Sequence, residues 1–383
     1  MTSQPTIVAY ISGHGYGHGA RTGLVLREVQ KLAPAVRIVV RSTTPDWLYP
    51  RTATCVRTTV DVGVIQIDSL SPLIDETVTR AYAFEQERPA LVALERDALA
   101  PLDPVLVLSD IPPLAFDVAV ELGVPSVAIG NFSWDWIYRH LGSDRPEVDE
   151  IVERIRKSEA RASVLLRLPL HDEMAAFPRI EDVPLVAHIS HADRSETRRR
   201  IMAAARGESL EAHAPPPPST SSRGADGEHI ALLSFGGMGI QRLDLMALAR
   251  TPEVTFVLSS PPTSRIPDNV LVVTDETLPY HDLLAACDVV VMKPGYGTVA
   301  DCLANRVPMV YATRPGFQEE GILIEAMHRE GRAAWVSTDD LFAGTLGPAI
   351  RAALALSDPW CEISEGGAEI IARRVLRTAN IEA

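Results

Sequence analysis

The sequence predicts an α/β protein built from two parallel-sheet domains that face a common cleft. Short β-branched runs alternate with segments of helical period, and this order is typical of a parallel sheet covered by helices on both faces. The alternation stops at residues 206–228 and then starts again. Two such domains around a linker bring the carboxyl ends of both sheets to one cleft, where open α/β folds bind ligands.

The first half contains four predicted strands, each a nearly continuous apolar run. They span residues 6–11, 36–40, 105–108 and 126–129. Segments of helical period begin near Arg21, Leu114 and Val148, between or after these strands. We therefore predict a Rossmann-like domain over residues 1–195.

Residues 206–228 have a different composition. Prolines at 215–218 are followed by Ser, Thr, Ser and Ser, and then by Gly224 and Gly227. Such a segment cannot bury enough apolar surface to offset the entropy of ordering it. We predict a linker rich in Pro, Ser and Gly over residues 196–228.

The second half repeats the strand–loop–helix order. Its predicted strands span residues 230–234, 254–258, 270–273, 288–292 and 308–312. We predict a second Rossmann-like domain over residues 229–365. The remaining segment, 366–383, carries apolar residues at helical spacing, as a helix that docks on another surface requires. These residues are Ile370, Ile371, Val375 and Leu376.

The bulk composition excludes several classes of partner. The net charge of −14 disfavours nucleic acid and anionic membranes. The first ten residues lack a basic stretch followed by a long apolar core, so we expect no signal peptide, and the apolar runs are too short to span a bilayer. The four cysteines form no CxxC pattern, which suits a reducing compartment. We therefore expect a cytoplasmic protein with no membrane span.

Three glycine-rich loops each follow a strand and precede a helix, at residues 12–19, 234–239 and 293–298. Glycine lets the backbone approach a ligand closely, and amides at a helix N-terminus favour an anion. A single loop of this kind can serve turn shape alone, but two in one half favour a phosphate ligand. The second and third loops contribute Gly236, Gly237, Gly239, Gly295, Gly297 and Thr298.

A dinucleotide-binding dehydrogenase is an alternative. The first loop contains a G-x-G pattern after a strand, and Arg41 after the next strand could suit the 2′-phosphate of NADP. The spacing argues against this interpretation, because His14 and His18 lie inside the loop and the glycine loops of the second half would have no role.

Several motifs carry a family resemblance. Residues 11–21, 109–112, 131–135, 293–298 and 317–320 resemble the glycosyltransferase-like domain that precedes the sugar kinase in plant L-arabinokinases. More distantly, residues 295–301 and 308–331 are similar to the bacterial peptidoglycan N-acetylglucosaminyltransferase. The resemblance implies a GT-B fold, with the acceptor site in the first half and the nucleotide donor in the second. No phosphate loop of the sugar-kinase type occurs in the sequence, so arabinokinase activity is not implied.

The resemblance also implies donor-binding residues. The glycines of the second and third loops, with Thr298, would face the diphosphate of a UDP-linked sugar. Asp301 matches an acidic position that binds ribose hydroxyls, although it could instead stabilise the first turn of its helix. Glu319 and Glu320 match paired polar residues that contact the sugar, although they could form a solvated helix start. The double glutamate leaves the identity of the sugar open.

His18 matches a histidine at the cleft-facing tip of the first loop, where an imidazole can take a proton from the acceptor hydroxyl. His14 could be a second polar contact to the acceptor. The two histidines could also bind a metal, but further ligands with clear spacing are missing and no DxD pair is evident. We therefore expect a transferase that needs neither a metal nor another cofactor.

Asp110 follows a strand of the first half and precedes Pro112, so it is predicted to have a catalytic role at the acceptor site or to cap a helix. Asn131, Trp134 and Asp135 follow the next strand and are predicted to contact the acceptor. Sugars stack on aromatic faces, but an aromatic cluster can equally be core.

Together these observations predict transfer of a sugar from a nucleotide-diphosphate sugar, with UDP as the expected nucleotide, to a hydroxyl or amine of a small-molecule acceptor. Two alternatives stay open. One is a catalytically silent module that binds a nucleotide sugar, and the other is a hydrolysing nucleotide-sugar epimerase.

Overall fold

The computed structural model describes residues 4–205, 229–236, 240, 242–274, 278–314, 316–364 and 366–382. Residues 206–228, which form most of the predicted linker, lie outside the described residues. The same holds for Gly237 and Gly239 of the second glycine loop. The predictions made for these positions therefore stay predictions.

The first half forms a parallel seven-stranded sheet in the order β3-β2-β1-β4-β5-β6-β7. Its strands are β1 (Thr6–Ile11), β2 (Arg37–Ser42), β3 (Thr54–Arg57), β4 (Pro104–Asp110), β5 (Ser126–Gly130), β6 (Val164–Arg167) and β7 (Ile180–Asp182). The helices in this part of the chain are α1 (Tyr16–Leu32), α2 (Ile74–Leu99), α3 (Leu114–Leu122), α4 (Trp134–Leu141), α5 (Pro146–Glu159) and α6 (Arg194–Ala205).

The second half forms a parallel six-stranded sheet in the order β10-β9-β8-β11-β12-β13. Its strands are β8 (His229–Ser234), β9 (Val254–Leu258), β10 (Val270–Val272), β11 (Val289–Met292), β12 (Met309–Tyr311) and β13 (Ala333–Trp335). The helices are α7 (Tyr280–Ala286), α8 (Tyr296–Ala304), α9 (Glu319–Glu330), α10 (Thr338–Phe342), α11 (Gly347–Ala355) and α12 (Gly367–Thr378).

The order of the strands reverses at the same point in both sheets. In the first sheet β1 pairs with β4, and Ile11 lies opposite Asp110 at their carboxyl ends. In the second sheet β8 pairs with β11, and Ser234 lies opposite Met292. Ligands of open parallel sheets bind in the crevice beyond such a switch point. The first and third glycine loops begin at these switch points, and Asp110 lies there as the last residue of β4.

The prediction of two parallel-sheet domains is confirmed, and each predicted strand is present. Four strands were missed, namely β3, β6, β7 and β13. Each has only three or four residues, and all four lie toward the edges of their sheets. Strands β3 and β7 are also polar and partly exposed, so they lack the continuous apolar run that marks a buried strand.

Helix α12 packs against α1 of the first half. Ile371, Val375 and Leu376 are buried in this contact, whereas Ile370 is exposed. A Cβ added at Gly367 would lie 2.4 Å from the carbonyl oxygen of Leu185, so only glycine allows this close approach.

Two further features bear on the sequence predictions. Residues 196–205, which the predicted boundaries assign to the linker, belong to helix α6, so the described part of that segment is helical. Among the helices of the described ranges, none combines the length and the apolar character needed to cross a membrane.

Candidate functional site

A cleft of about 1190 Å³ opens between the two sheets. Residues 14–18 and Trp134 form part of its first wall. Lys293, residues 295–298 and Glu319 belong to the opposite wall. The two helix N-termini meet across this cleft, because a Cβ added at Gly297 of α8 would lie 3.7 Å from Cα of Gly17 in α1.

The buried centre of the first wall is an ionic cluster around Asp110, the last residue of β4. The Nδ1 atom of His18 lies 2.8 Å from Oδ1 of Asp110. Arg21 holds the same carboxylate with two bonds, from Nε to Oδ2 at 2.8 Å and from Nη2 to Oδ1 at 2.6 Å. The hydroxyl of Thr22 donates to Oδ2 as well. His18, Arg21 and Thr22 come together because they occupy neighbouring turns of one helix.

The electrostatics of this cluster keep Asp110 ionised. Burial acts to raise its pKa, but the charge of Arg21 and the hydrogen bonds from Arg21 and His18 outweigh burial and hold the pKa well below the ordinary value of an aspartate. An ionised acceptor at Nδ1 favours the His18 tautomer that carries its proton on Nδ1. The Nε2 atom is then the unprotonated nitrogen.

The structure corrects the direct acceptor contact and the helix cap that were predicted for Asp110 from the sequence. Its side chain is 0% exposed and does not line the cleft, so it cannot touch an acceptor directly. It does not cap α3 either, because that helix begins at Leu114 and the residue before it is Pro113. Asp110 instead contacts His18, which does line the cleft.

His14 lies on the cleft wall between aromatic rings. Its ring makes an edge contact with Trp134 at 5.5 Å between centroids and stacks on Phe317 of the second half at 6.1 Å. Its Nδ1 accepts a hydrogen bond from the backbone N–H of Val64 at 3.3 Å. Burial and then the charge of Lys293 lower the pKa of His14 well below the usual value, so the ring is neutral.

The residues after β5 behave differently from one another. Trp134 lines the cleft, although it is almost fully buried and its Nε1 donates to Asp61 at 2.9 Å. Asp135 does not line the cleft, and its carboxylate accepts hydrogen bonds from Ser133 and from Nε of Arg156. The acceptor contact predicted for Asp135 is therefore corrected to a structural ion pair.

Asn131 is buried away from the cleft surface and joins the two halves, which corrects its predicted acceptor contact. Its Oδ1 accepts from Nη1 of Arg21 at 2.7 Å. Its Nδ2 donates to Oε1 of Glu319 at 2.9 Å and to the carbonyl of Leu170 at 3.3 Å. Asn131 is thus a link between the ionic cluster of the first half and helix α9 of the second.

Glu319 and Glu320 begin α9 and are both buried, which excludes a solvated helix start. Glu319 lines the cleft, whereas Glu320 does not. Glu320 accepts from Nε of Arg314 at 2.7 Å and from the backbone N–H of the same residue at 3.1 Å. Burial raises the pKa of Glu320 to about 7, although Arg314 opposes this shift. Only Glu319 of the predicted pair is thus available to a ligand.

Asp301 lines the cleft from the sixth residue of α8, so stabilisation of the first helical turn is excluded. Its Oδ1 accepts a hydrogen bond from the backbone N–H of His188 at 2.8 Å. The carboxylate therefore anchors the segment that follows the first sheet, and its other oxygen makes no hydrogen bond to a protein group among those described.

The glycines of the second wall surround a lysine that sequence reasoning had not singled out. Gly236, Gly295 and Gly297 line the cleft, and Gly236 has φ 69°, which is a conformation that favours glycine. Lys293 follows β11 and lines the cleft beside them. Burial and the charge of Arg314 lower the pKa of Lys293 to about 7. The sequence feature that could have identified Lys293 as a site residue is its position as the first residue of the third glycine loop.

Arg21 was also missed, although its spacing of three residues from His18 on a helix indicates a shared face. Within the described ranges, no three His, Cys, Asp or Glu side chains are arranged to hold a metal ion.

Comparison with known proteins gives one curated relative and many similar structures. The L-arabinokinase of Arabidopsis thaliana is 28% identical over 97% of this chain. The chain spans only 34% of the length of that relative. No protein-family model matches the sequence.

The solved structures are similar over nearly the whole chain. The glycosyltransferase of kitacinnamycin superposes with a TM-score of 0.59 at 18% identity, covering 99% of this chain and 97% of that one. A UDP-glucosyltransferase from Polygonum tinctorium gives a TM-score of 0.59 at 14% identity, covering 99% and 100%. The calicheamicin glycosyltransferase gives 0.56 at 17% identity, covering 99% and 95%. The predicted GT-B fold is thereby confirmed.

Proposed function

We propose that this chain, in which two parallel sheets have the GT-B arrangement, is a glycosyltransferase. It transfers a sugar from a UDP-linked donor to a hydroxyl or amine of a small-molecule acceptor. The observation that carries the proposal is the position of His18. Its ring is held by Asp110 on one wall of the cleft, while the loop at residues 295–298 and Glu319 face it from the other.

The donor is proposed to bind to the second half. The N-terminus of α8, with Gly297 and Thr298, offers backbone amides and the positive end of the helix dipole to the diphosphate. Lys293 adds a cation beside them. Asp301 has one oxygen left for the ribose, and Glu319 has one oxygen left for a sugar hydroxyl. The helix amides and Lys293 would stabilise the charge that develops on the leaving diphosphate without a metal ion.

The acceptor is proposed to bind against Phe132, Trp134 and Ile137, which line the first wall near His18. The Nε2 atom of His18 takes the proton of the acceptor hydroxyl as its oxygen attacks the anomeric carbon. The bond from that carbon to the diphosphate breaks in the same step, and its electron pair leaves with UDP. The negative charge of Asp110 stabilises the imidazolium that forms, as in other histidine–carboxylate pairs.

A catalytically silent module that binds a nucleotide sugar is a second candidate. The observation in its favour is that the donor-side carboxylates already bind protein groups, since Asn131 donates to Glu319 and His188 donates to Asp301. A donor would have to compete with these contacts or use the remaining oxygens.

One set of measurements separates the candidates. Calorimetry with UDP and a panel of UDP-sugars tests donor binding, and product formation with hydroxyl and amine acceptors tests transfer. Transfer supports the proposal. Binding without transfer supports the silent module, and release of UDP with an altered free sugar in the absence of acceptor indicates the epimerase. If neither UDP nor any UDP-sugar binds, the donor assignment is wrong.

A further inference from the structure

A continuous chain of hydrogen bonds connects His18 of the first half to Glu319 of the second, both of which line the cleft, through residues buried beneath it. It runs from His18 to Asp110 at 2.8 Å and from Asp110 to Nε of Arg21 at 2.8 Å. It continues from Nη1 of Arg21 to Asn131 at 2.7 Å and from Asn131 to Glu319 at 2.9 Å. All five side chains are buried, so water does not compete for these bonds. We call this set the cross-cleft chain.

We infer that Arg21 and Asn131 are positioning residues, which couple the occupancy of the donor-sugar site at Glu319 to the orientation of His18. This inference rests on the proposed function and extends it. Arg21 acts on His18 directly, with Nη2 at 3.1 Å from Nδ1, and through Asp110. Asn131 acts through Arg21 and does not need to touch a substrate.

The geometry of Arg21 makes it suited to this role. Its guanidinium uses Nε and Nη2 on Asp110 and Nη1 on Asn131. The group is planar and rigid, so a shift at one edge turns the other edge with it. A lysine would supply the charge but could not hold both partners in fixed directions.

The chemistry of Asn131 is equally specific. The side chain must accept a hydrogen bond from Arg21 and donate one to Glu319 at the same time. A second bond from Nδ2 to the carbonyl of Leu170 fixes which way the amide faces. A carboxylate here would repel Glu319, and an apolar side chain would leave a buried donor and a buried acceptor unpaired.

Glu319 is the member of the cross-cleft chain that a donor sugar can contact. It lines the cleft and gives one oxygen to Asn131. A sugar hydroxyl that donates to Glu319 changes the position or the basicity of that carboxylate. The change passes through Asn131 to Arg21, and from there to Asp110 and His18. A donor that carries a sugar would thus alter His18, whereas UDP alone would not.

The first test exchanges donor and acceptor within the Asn131–Glu319 bond. Asn131→Asp places two carboxylates at hydrogen-bond distance, and we expect kcat and UDP-sugar affinity to fall by about 10- to 100-fold. Asn131→Asp combined with Glu319→Gln restores an amide–carboxylate pair in reverse. We expect this double variant to recover at least about tenfold over Asn131→Asp alone. Losses that simply multiply, with no recovery, would show that the two side chains act independently.

The second test follows His18 itself by NMR of its Nδ1–H proton, assigned from the signal lost in His18→Gln. In the parent, the UDP-sugar with the highest affinity in the panel should shift this signal, and UDP alone should not. Asn131→Leu should abolish the shift while UDP still binds. Glu181→Gln is the matched control, because it weakens an Arg374 ion pair outside the cross-cleft chain.

The outcomes separate the inference from the proposed function. A shift that persists in Asn131→Leu would overturn the coupling and leave the transferase proposal standing. Failure of the parent to bind any UDP-sugar would overturn the proposed function, and the coupling with it.

Discussion

Two regions of the first half bury carboxylates in opposite ways. In the ionic cluster, Asp110 is 0% exposed and is surrounded by Arg21, His18 and Thr22. Burial acts to raise its pKa, but Arg21 and His18 outweigh burial and hold the pKa low. In a second region, Glu159 is also 0% exposed, yet neither of its side-chain oxygens has a hydrogen-bond partner among the described residues. Burial and the nearby charges of Asp135 and Asp172 raise its pKa well above the ordinary value of a glutamate.

The comparison shows that burial alone does not decide the charge of an acid. A buried carboxylate stays ionised when cations and donors replace the water it has lost, and otherwise it takes up a proton. Only the first arrangement provides a fixed negative charge that can orient and stabilise a histidine. The ionic cluster is therefore suited to catalysis, while the set Asp135, Glu159 and Asp172, here called the acidic cluster, bears on stability.

The largest effect is expected for Asp110→Asn. The substitution leaves Arg21 without its counter-ion and removes the group that holds the His18 tautomer, so we expect kcat to fall by about 10⁴-fold. The free energy of unfolding should also fall by about 3–5 kcal/mol, because a buried charge loses its partner. Turnover and urea unfolding measure the two effects.

The matched control for that experiment is Asp135→Asn, which removes a carboxylate whose partner Arg156 is half exposed. We expect parental turnover and a loss of stability of no more than about 1 kcal/mol. Equal losses of turnover in both variants would show that the ionic cluster is not more important for catalysis than the acidic cluster.

His18→Ala should have the next largest effect. Loss of a positioned base lowers kcat by about 10²–10⁴-fold. The affinity for UDP should stay nearly parental, because the proposed donor groups lie in the second half. Both quantities should be measured on one folded preparation. Parental turnover in the folded variant would exclude His18 from the mechanism.

Lys293→Met tests the second wall. We expect UDP affinity to fall by about 10- to 100-fold, because one cation beside the diphosphate is lost. In the parent, the pKa of Lys293 is about 7 in the free protein, and a bound diphosphate favours the charged form. UDP affinity should therefore be highest below pH 7 and fall by up to about tenfold for each unit above it. Calorimetry across pH 6–9 should show this dependence in the parent and a flatter profile in the variant.

The strands and loops that could be predicted from the sequence are those that a local residue pattern determines. Strands β1 and β9 were predicted at their observed bounds because every residue of β1 and nearly all of β9 is buried. The glycine loops and His18 were recognisable because each occupies a short stretch after a strand. Strand β13 was missed because it contains no β-branched residue, whereas β10, β11 and β12 each contain valine.

The partners within the site could not be read from local pattern. Arg21 is separated by 89 positions from Asp110 and by 110 from Asn131. Asn131 is separated by 188 positions from Glu319. The first sheet brings Arg21, Asp110 and Asn131 together at its carboxyl edge, and only the meeting of the two sheets adds Glu319. For this reason Asp110 and Asn131 were identified as site residues, but their proposed direct contacts with the acceptor were not found.

The smallest effect is expected in the acidic cluster. Burial, and then the charge of Asp135, raises the pKa of Asp172 from its ordinary value to about 7. The folded state therefore holds a proton that the unfolded chain has already released between pH 4 and 7. The stability gained from this group is complete below about pH 4 and is lost as pH rises, at up to about 1.4 kcal/mol per unit.

Asp172→Asn should leave the free energy of unfolding almost unchanged at low pH, because a neutral amide then replaces a neutral carboxyl. At pH 4 the free energy of unfolding should stay within about 0.5 kcal/mol of the parent. Between pH 4 and 8 the parent should lose stability and the variant should lose less, so that the variant is more stable by about 1 kcal/mol or more at pH 8. Urea unfolding at both pH values measures the difference. The same substitution should not alter turnover, since Asp172 does not line the cleft. A variant that is less stable than the parent at pH 8 would mean that Asp172 is ionised and paired like Asp110, and the contrast between the two regions would fail.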